Sequence, residues 1–147
     1  MGKSKAVENA QRIFRDVDRK ERKALTDAAC AELMGILGQS GMEPKNVLFM
    51  TLSAAVVALL ADGVIVPEEE EFVNDILGRY WSGGSDKLLA FLKGQNYDGA
   101  YAFIEGITKM GERIAVPFLR VMMGFAYSDD TLEVALYEKL DGLYENM

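Results

Sequence analysis

The chain is expected to fold as an all-helical bundle, and three observations carry that expectation. Apolar residues recur at steps of three and four along nearly the whole length, strand-like alternation is missing, and short Gly- or Ser-rich breaks separate the periodic segments. A chain of 147 residues is read as one compact domain, able to bury roughly 70% of its unfolded surface. With 50% hydrophobic residues it has enough core to fold without disulfides or a structural metal.

About seven to eight helices are predicted. Val7, Ala10, Ile13, Phe14 and Val17 form a first apolar stripe within a basic N-terminal helix assigned to residues 1–23. Leu25, Ala29, Leu33, Ile36 and Leu37 continue with a second stripe, which opens the main helical body, residues 24–147, of the same globular domain. Gly38-Gln39-Ser40-Gly41 ends that stripe. Glu43-Pro44 starts the next helix, with proline in the first turn, where its missing N–H costs nothing. Val47 to Ala61 is uncharged but spans only about 22 Å at ~1.5 Å per residue, short of the ~30 Å bilayer core, and is read as a buried helix.

Pro67 opens a helix whose first turn holds Glu68 to Glu71, where carboxylates meet the positive end of the helix dipole. Phe72, Val73, Ile76, Leu77 and Tyr80 form its apolar face. After Ser82-Gly83-Gly84-Ser85 a short helix is expected through Leu88, Leu89 and Leu92. Another runs from about Asp98 to a stop near Gly111, followed by helices from about Glu112 to Tyr127 and from about Leu132 to Tyr144. Pro117 either kinks the first of that last pair or delays its start by a turn.

Composition excludes several kinds of chemistry. Histidine is absent, which removes the usual general base and the commonest transition-metal ligand, so a non-catalytic role is expected. Cys30 is the only cysteine; no intrachain disulfide or multi-cysteine zinc site can form, and its Ala-rich surroundings predict a buried packing residue. The eight methionines lie mostly in apolar segments and read as core filler.

Charge is unevenly divided. Residues 1–23 hold eight Lys/Arg against four acids, or +4, so the remaining 124 residues carry −11 of a net −7. Clustered Lys/Arg is what anionic lipid or nucleic acid binds, but Glu8, Asp16, Asp18 and Glu21 dilute the patch. The expectation is docking on the chain's own acidic body or solvation, with no nucleic-acid partner and at most a peripheral membrane-surface contact. The polar N-terminus shows no cleavable signal, and the expected compartment is the cytoplasm.

The densest set of oxygen ligands lies in Ala61-Asp62-Gly63-Val64-Ile65-Val66-Pro67-Glu68-Glu69-Glu70-Glu71. Asp62, Gly63, Ile65 and Glu69 keep the spacing of the second half of a helix-loop-helix calcium loop. The first half is missing, since Ala58 and Leu60 stand where oxygen ligands would be needed, so a standard calcium hand is excluded. A purely local reading of the same residues stays open: Asp62 caps, Gly63 makes a left-handed turn, and the glutamates satisfy helix N–H groups. Laying residues 46–63 over 113–130 matches apolar with apolar at most positions and brings Asp62 onto Asp129 and Ile65 onto Leu132. The second copy has Asp130 in place of the glycine and Leu136 in place of Glu69. A pseudo-twofold pair of helix-turn-helix units is predicted.

A long apolar helix ending in Ala61-Asp62-Gly63, then Ile65 and Glu69, then a weaker acidic copy, resembles the tellurite-resistance TerB family and its TerB-like relatives over about residues 25–145. The resemblance implies a bacterial, cytoplasmic, non-catalytic binding or signalling module linked to stress response. It also implies a divalent-cation site, for calcium, to which Asp62, Glu69 and Asp129 correspond by match. A protein partner is expected. The reading from another class is a metal-free protein–protein adaptor using aromatics beside loops, with Tyr80, Trp81 and Tyr97 as candidates.

Overall fold

In a computed structural model of the protein, residues 3–60, 67–78, 97–128 and 132–147 are described. They form an all-α bundle of seven helices, with no strand among the described residues: α1 (Lys5–Arg15), α2 (Arg19–Gln39), α3 (Pro44–Leu60), α4 (Pro67–Leu77), α5 (Tyr97–Thr108), α6 (Glu112–Ala126) and α7 (Val134–Leu143). The predicted short helix through Leu88 to Leu92 and the aromatics Tyr80 and Trp81 lie outside the described residues, and so does the Asp62-Gly63 turn.

Ser4 starts α1 by accepting a hydrogen bond from the Val7 backbone N–H at 3.1 Å, and Val7, Ala10 and Phe14 bury one face. The basic segment is not the single helix expected over residues 1–23. Helix α1 stops at Arg15, and the Asp18 carboxylate restarts the chain as α2 by accepting from the Glu21 N–H at 2.8 Å. An Asp whose side chain takes a helix-start N–H competes with continued helix at its own position, and this is the local reason for the break.

Helix α6 is the centre of the bundle and packs against α1 to α5. Nine of its residues are buried, Phe118, Leu119, Val121, Met122, Met123 and Phe125 among them. Gly111, at φ +95°, turns the chain between α5 and α6, as Gly41, at φ +87°, does between α2 and α3, a backbone region costly for any residue with a Cβ. Pro117 sits inside α6 and does not delay it. The helix begins at Glu112, and Pro117 leaves the Arg113 carbonyl without its i→i+4 N–H donor.

Helices α2 and α6 approach closely where Gly124 faces Thr26. A Cβ at Gly124 would collide with the Thr26 side chain, and Thr26 is fully buried with its hydroxyl donating to the Arg22 carbonyl at 2.7 Å. Helix α4 meets α6 through Phe72 and Phe125, edge to face at 5.9 Å between ring centres. Leu52 and Ala54 to Leu59 bury the later turns of α3, whereas Phe49 in its first turns is 52% exposed. Cys30 is buried, as its neighbours predicted.

The ends of the chain close on each other. The Asp141 carboxylate of α7 accepts the backbone N–H groups of Lys3 and Ser4 at 2.8–2.9 Å, and the Ala6 N–H donates to the Met147 carbonyl at 3.1 Å. The buried Tyr144 hydroxyl donates to the Ala115 carbonyl at 2.9 Å, and burial pushes that phenol well above its ordinary range. Among the described residues no helix is long and apolar enough to cross a membrane.

Candidate functional site

Of the three predicted metal ligands, the described residues include one. Asp62 and Asp129 lie outside them, whereas Glu69 is the third residue of α4 and only 3% exposed. Its burial follows from helix period. Glu69, Phe72, Val73 and Ile76 stand at i, i+3, i+4 and i+7, so the stripe that buries the three apolar side chains also turns Glu69 inward. Glu68 and Glu71 face outward, and Glu70 is half-buried.

Opposite Glu69 lies the end of α6. Ser128, fully buried, places its hydroxyl 3.5 Å from Glu69 Oε2, at the outer limit for a hydrogen bond. Ser128 immediately precedes Asp129. The start of α4, on the C-terminal side of the first acidic turn, therefore meets the end of α6, on the N-terminal side of the second. Two charges of opposite kind are drawn to this corner for separate reasons. Carboxylates suit the positive N-terminus of α4, and cations suit the negative C-terminus of α6.

The cations come from the first turn of α2. Arg19 donates through Nη1 to the Ser128 carbonyl at 2.5 Å and through Nη2 to the Glu68 carbonyl at 2.7 Å. Its guanidinium also stands over the Phe72 ring, 5.4 Å from the centre, and 4.0 Å from a Glu71 carboxylate oxygen. Arg22, one helical turn on and 3% exposed, donates to the carbonyls of Phe14 at 3.0 Å, Val17 at 3.0 Å and Tyr127 at 3.3 Å. Those are carbonyl groups at the ends of α1 and α6, which lack helical partners, and a planar guanidinium with five donors suits such a cluster. Lys23 pairs with Asp75 at 2.5 Å and Glu71 at 3.4 Å; the Asp75 hydrogen bond holds its ammonium above the ordinary range.

Docking of the basic segment on the acidic body is thus what Arg19 and Lys23 do. Sequence reasoning counted Arg19 and Arg22 as members of a surface patch and gave Ser128 no role. The signal was available in the same periodicity: Arg22 precedes Thr26, Cys30, Leu33 and Leu37 on one buried stripe of α2, as Glu69 precedes Phe72 and Ile76. A charged residue on the inward stripe at a helix end is one that has been given partners.

The corner's oxygen donors are hard: the Glu69 carboxylate, the Ser128 hydroxyl, and the carbonyls of Glu68 and Ser128. That is the chemistry calcium takes, although the ion needs 6–8 oxygens and Arg19 holds both carbonyls. Among the described residues no group of three or more Asp, Glu, Cys or His side chains is gathered closely enough to hold a metal ion.

At the other end of α2 the surface is different in kind. Met34, Gly38, Met42, Pro44, Val47 and Leu48 line an open apolar cleft of about 370 Å³ between α2 and α3. Comparison with protein-family models, with curated proteins and with solved structures returned no match.

Proposed function

We propose that the chain is a non-catalytic helical binding module of the TerB-like, stress-response type, which takes a divalent cation, calcium, at its acidic turns. In this reading the α3–α4 and α6–α7 units are the two halves of a degenerate repeat, and Glu69 supplies a buried carboxylate, completed by Asp62, Asp129 and water. The observation that carries it is the burial of Glu69 against Ser128. A carboxylate costs several kcal/mol to take out of water unless it is hydrogen-bonded or paired, and its inward position supports a role for Glu69 inside the fold rather than in solvent.

Calcium titration of the thermal midpoint at constant ionic strength tests this. A ligand bound only by the folded state stabilises it by RT ln(1 + [L]/Kd), about 1.4 kcal/mol at ten times Kd. The midpoint of the native protein rises with millimolar calcium, and Glu69→Gln abolishes the rise. No rise in the native protein would sink the cation site.

A second reading, a metal-free adaptor, is favoured by the cleft between α2 and α3 and by Phe49 at 52% exposure on the same helix as Pro44, Val47 and Leu48. Of its aromatic candidates from the sequence, Tyr80 and Trp81 lie outside the described residues, as does the side chain of Tyr97. This reading predicts that substitutions in the cleft abolish partner binding while leaving any calcium response intact.

A further inference from the structure

We infer that the cleft between α2 and α3 is covered by a second copy of this chain, two copies pairing about a twofold axis across the first turns of α3. The inference goes beyond the cation reading and gives the cleft of the adaptor reading one occupant.

Two apolar features adjoin on this face. The cleft of about 370 Å³ is walled by hydrocarbon and thioether side chains, those of Met34, Met42, Val47 and Leu48 among them. Phe49 stands about 100° round α3 from Leu48, which lines the cleft, and is 52% exposed. A single exposed apolar side chain is ordinary, but a ring beside an open apolar cleft makes a continuous strip, and such strips mark contact surfaces. The two methionines let the cleft adapt to the shape that enters it.

Charge says which partner fits. The chain carries −7 in all, yet from Leu33 to Leu60 it holds one acid and one base, Glu43 and Lys45. Net charge of one sign holds two copies apart, and this stretch adds nothing to that repulsion. The Glu43 and Lys45 side chains lie 3.9 Å apart and are well exposed. A twofold axis sets the same patch of both copies face to face, so a patch pairs with itself when it carries both members of each contact. This one does. The base of each copy can meet the acid of the other, and each Phe49 the wall of the other's cleft.

The test is sedimentation equilibrium of the full chain over a concentration series from roughly 1 µM to 1 mM, with the fold of each variant checked by circular dichroism. The average mass is expected to rise toward that of two chains. Phe49→Ser weakens the association about tenfold or more, since a twofold axis removes the ring twice. Lys45→Glu weakens it as well, Glu43→Lys together with Lys45→Glu restores it, and Lys20→Glu, the same change of charge at an exposed position in the first turn of α2, leaves it as it was. A chain that stays single throughout the series overturns the inference and leaves the cation and adaptor readings as they stand, the cleft then being open to a foreign partner. Association that Phe49→Ser does not weaken places the contact on another face and also overturns it. So does equal weakening by Lys20→Glu, which would make the effect one of net charge alone.

Discussion

The two ends of α2 solve the same problem by opposite means. At its N-terminal end Arg19, Arg22 and Lys23 meet carbonyls and carboxylates of α1, α4 and α6, with Arg22 buried and the ion pairs of Arg19 and Lys23 at the surface. At its C-terminal end Met34 and Gly38 border a cleft whose lining offers almost nothing but hydrocarbon. The first end holds three helices in fixed relation, because each hydrogen bond from a guanidinium is directional. The second is held by non-directional apolar contact and leaves surface open to solvent. The contrast separates the residues that hold the fold from those that a partner can reach.

The largest expected effect lies at the charged end. Arg22→Ala leaves three carbonyls, two of them deep in the protein, without their charged donor. A loss of about 3 kcal/mol or more is expected by urea denaturation, since hydrogen bonds to charged groups contribute about 1.5–3 kcal/mol each and their gains are not additive. A loss below about 1 kcal/mol would mean that these contacts do not hold the ends of α1 and α6. Deleting residues 1–23 is for the same reason no clean test of a membrane-binding arm. It removes Val7, Ala10, Phe14 and Arg22 from the core.

Acid should act where the first and last helices meet. Burial pushes the Asp141 carboxyl up, but the backbone N–H groups of Lys3 and Ser4 and the charge of Lys3 outweigh it and hold the group below its ordinary range. A carboxyl whose folded value lies below its unfolded one contributes stability above the unfolded value, near pH 4, and loses it as pH falls through the lower folded value. Asp141→Asn is expected to be less stable than the native protein at neutral pH and to approach it below about pH 4. A difference that does not shrink with acid would place the contribution of Asp141 elsewhere than in its charge.

The smallest effect is expected at the apolar end. Phe49→Ser changes a side chain that is 52% exposed, and stability should move by no more than about 0.5 kcal/mol, the usual range for surface positions away from caps and cores. A larger loss would show that α3 is packed by its exposed turns as well as its buried ones, and would weaken the contrast between the two ends.

The helices were legible in the sequence because their signals are local. Pro44 and Pro67 open helices where expected, Gly41 and Gly111 provide the left-handed turns, Val7, Ala10, Phe14 and the stripe from Phe72 to Leu77 are buried, and Ile13 of the first stripe is 38% exposed. The break at Asp16–Asp18 was missed, because a hydrophobic stripe continues across it and only the Asp18 cap reveals it. At the candidate site, Glu69 was chosen from loop spacing, yet the observation that supports it is its register with Phe72 and Ile76. The role of Arg19 depends on α4 and α6 meeting, a contact between residues 109 apart in one case and 49 in the other. No local pattern encodes a meeting of that kind.

The central claim is that Arg19 ties the start of α4 to the end of α6. Amide hydrogen exchange of Arg19→Gln tests it directly, because exchange reports local opening segment by segment. The account predicts faster exchange in both the first turn of α4 and the last turn of α6, around Phe125 to Ser128, with the α2–α3 end unchanged. Faster exchange confined to α2, with both of those turns protected as before, would contradict it.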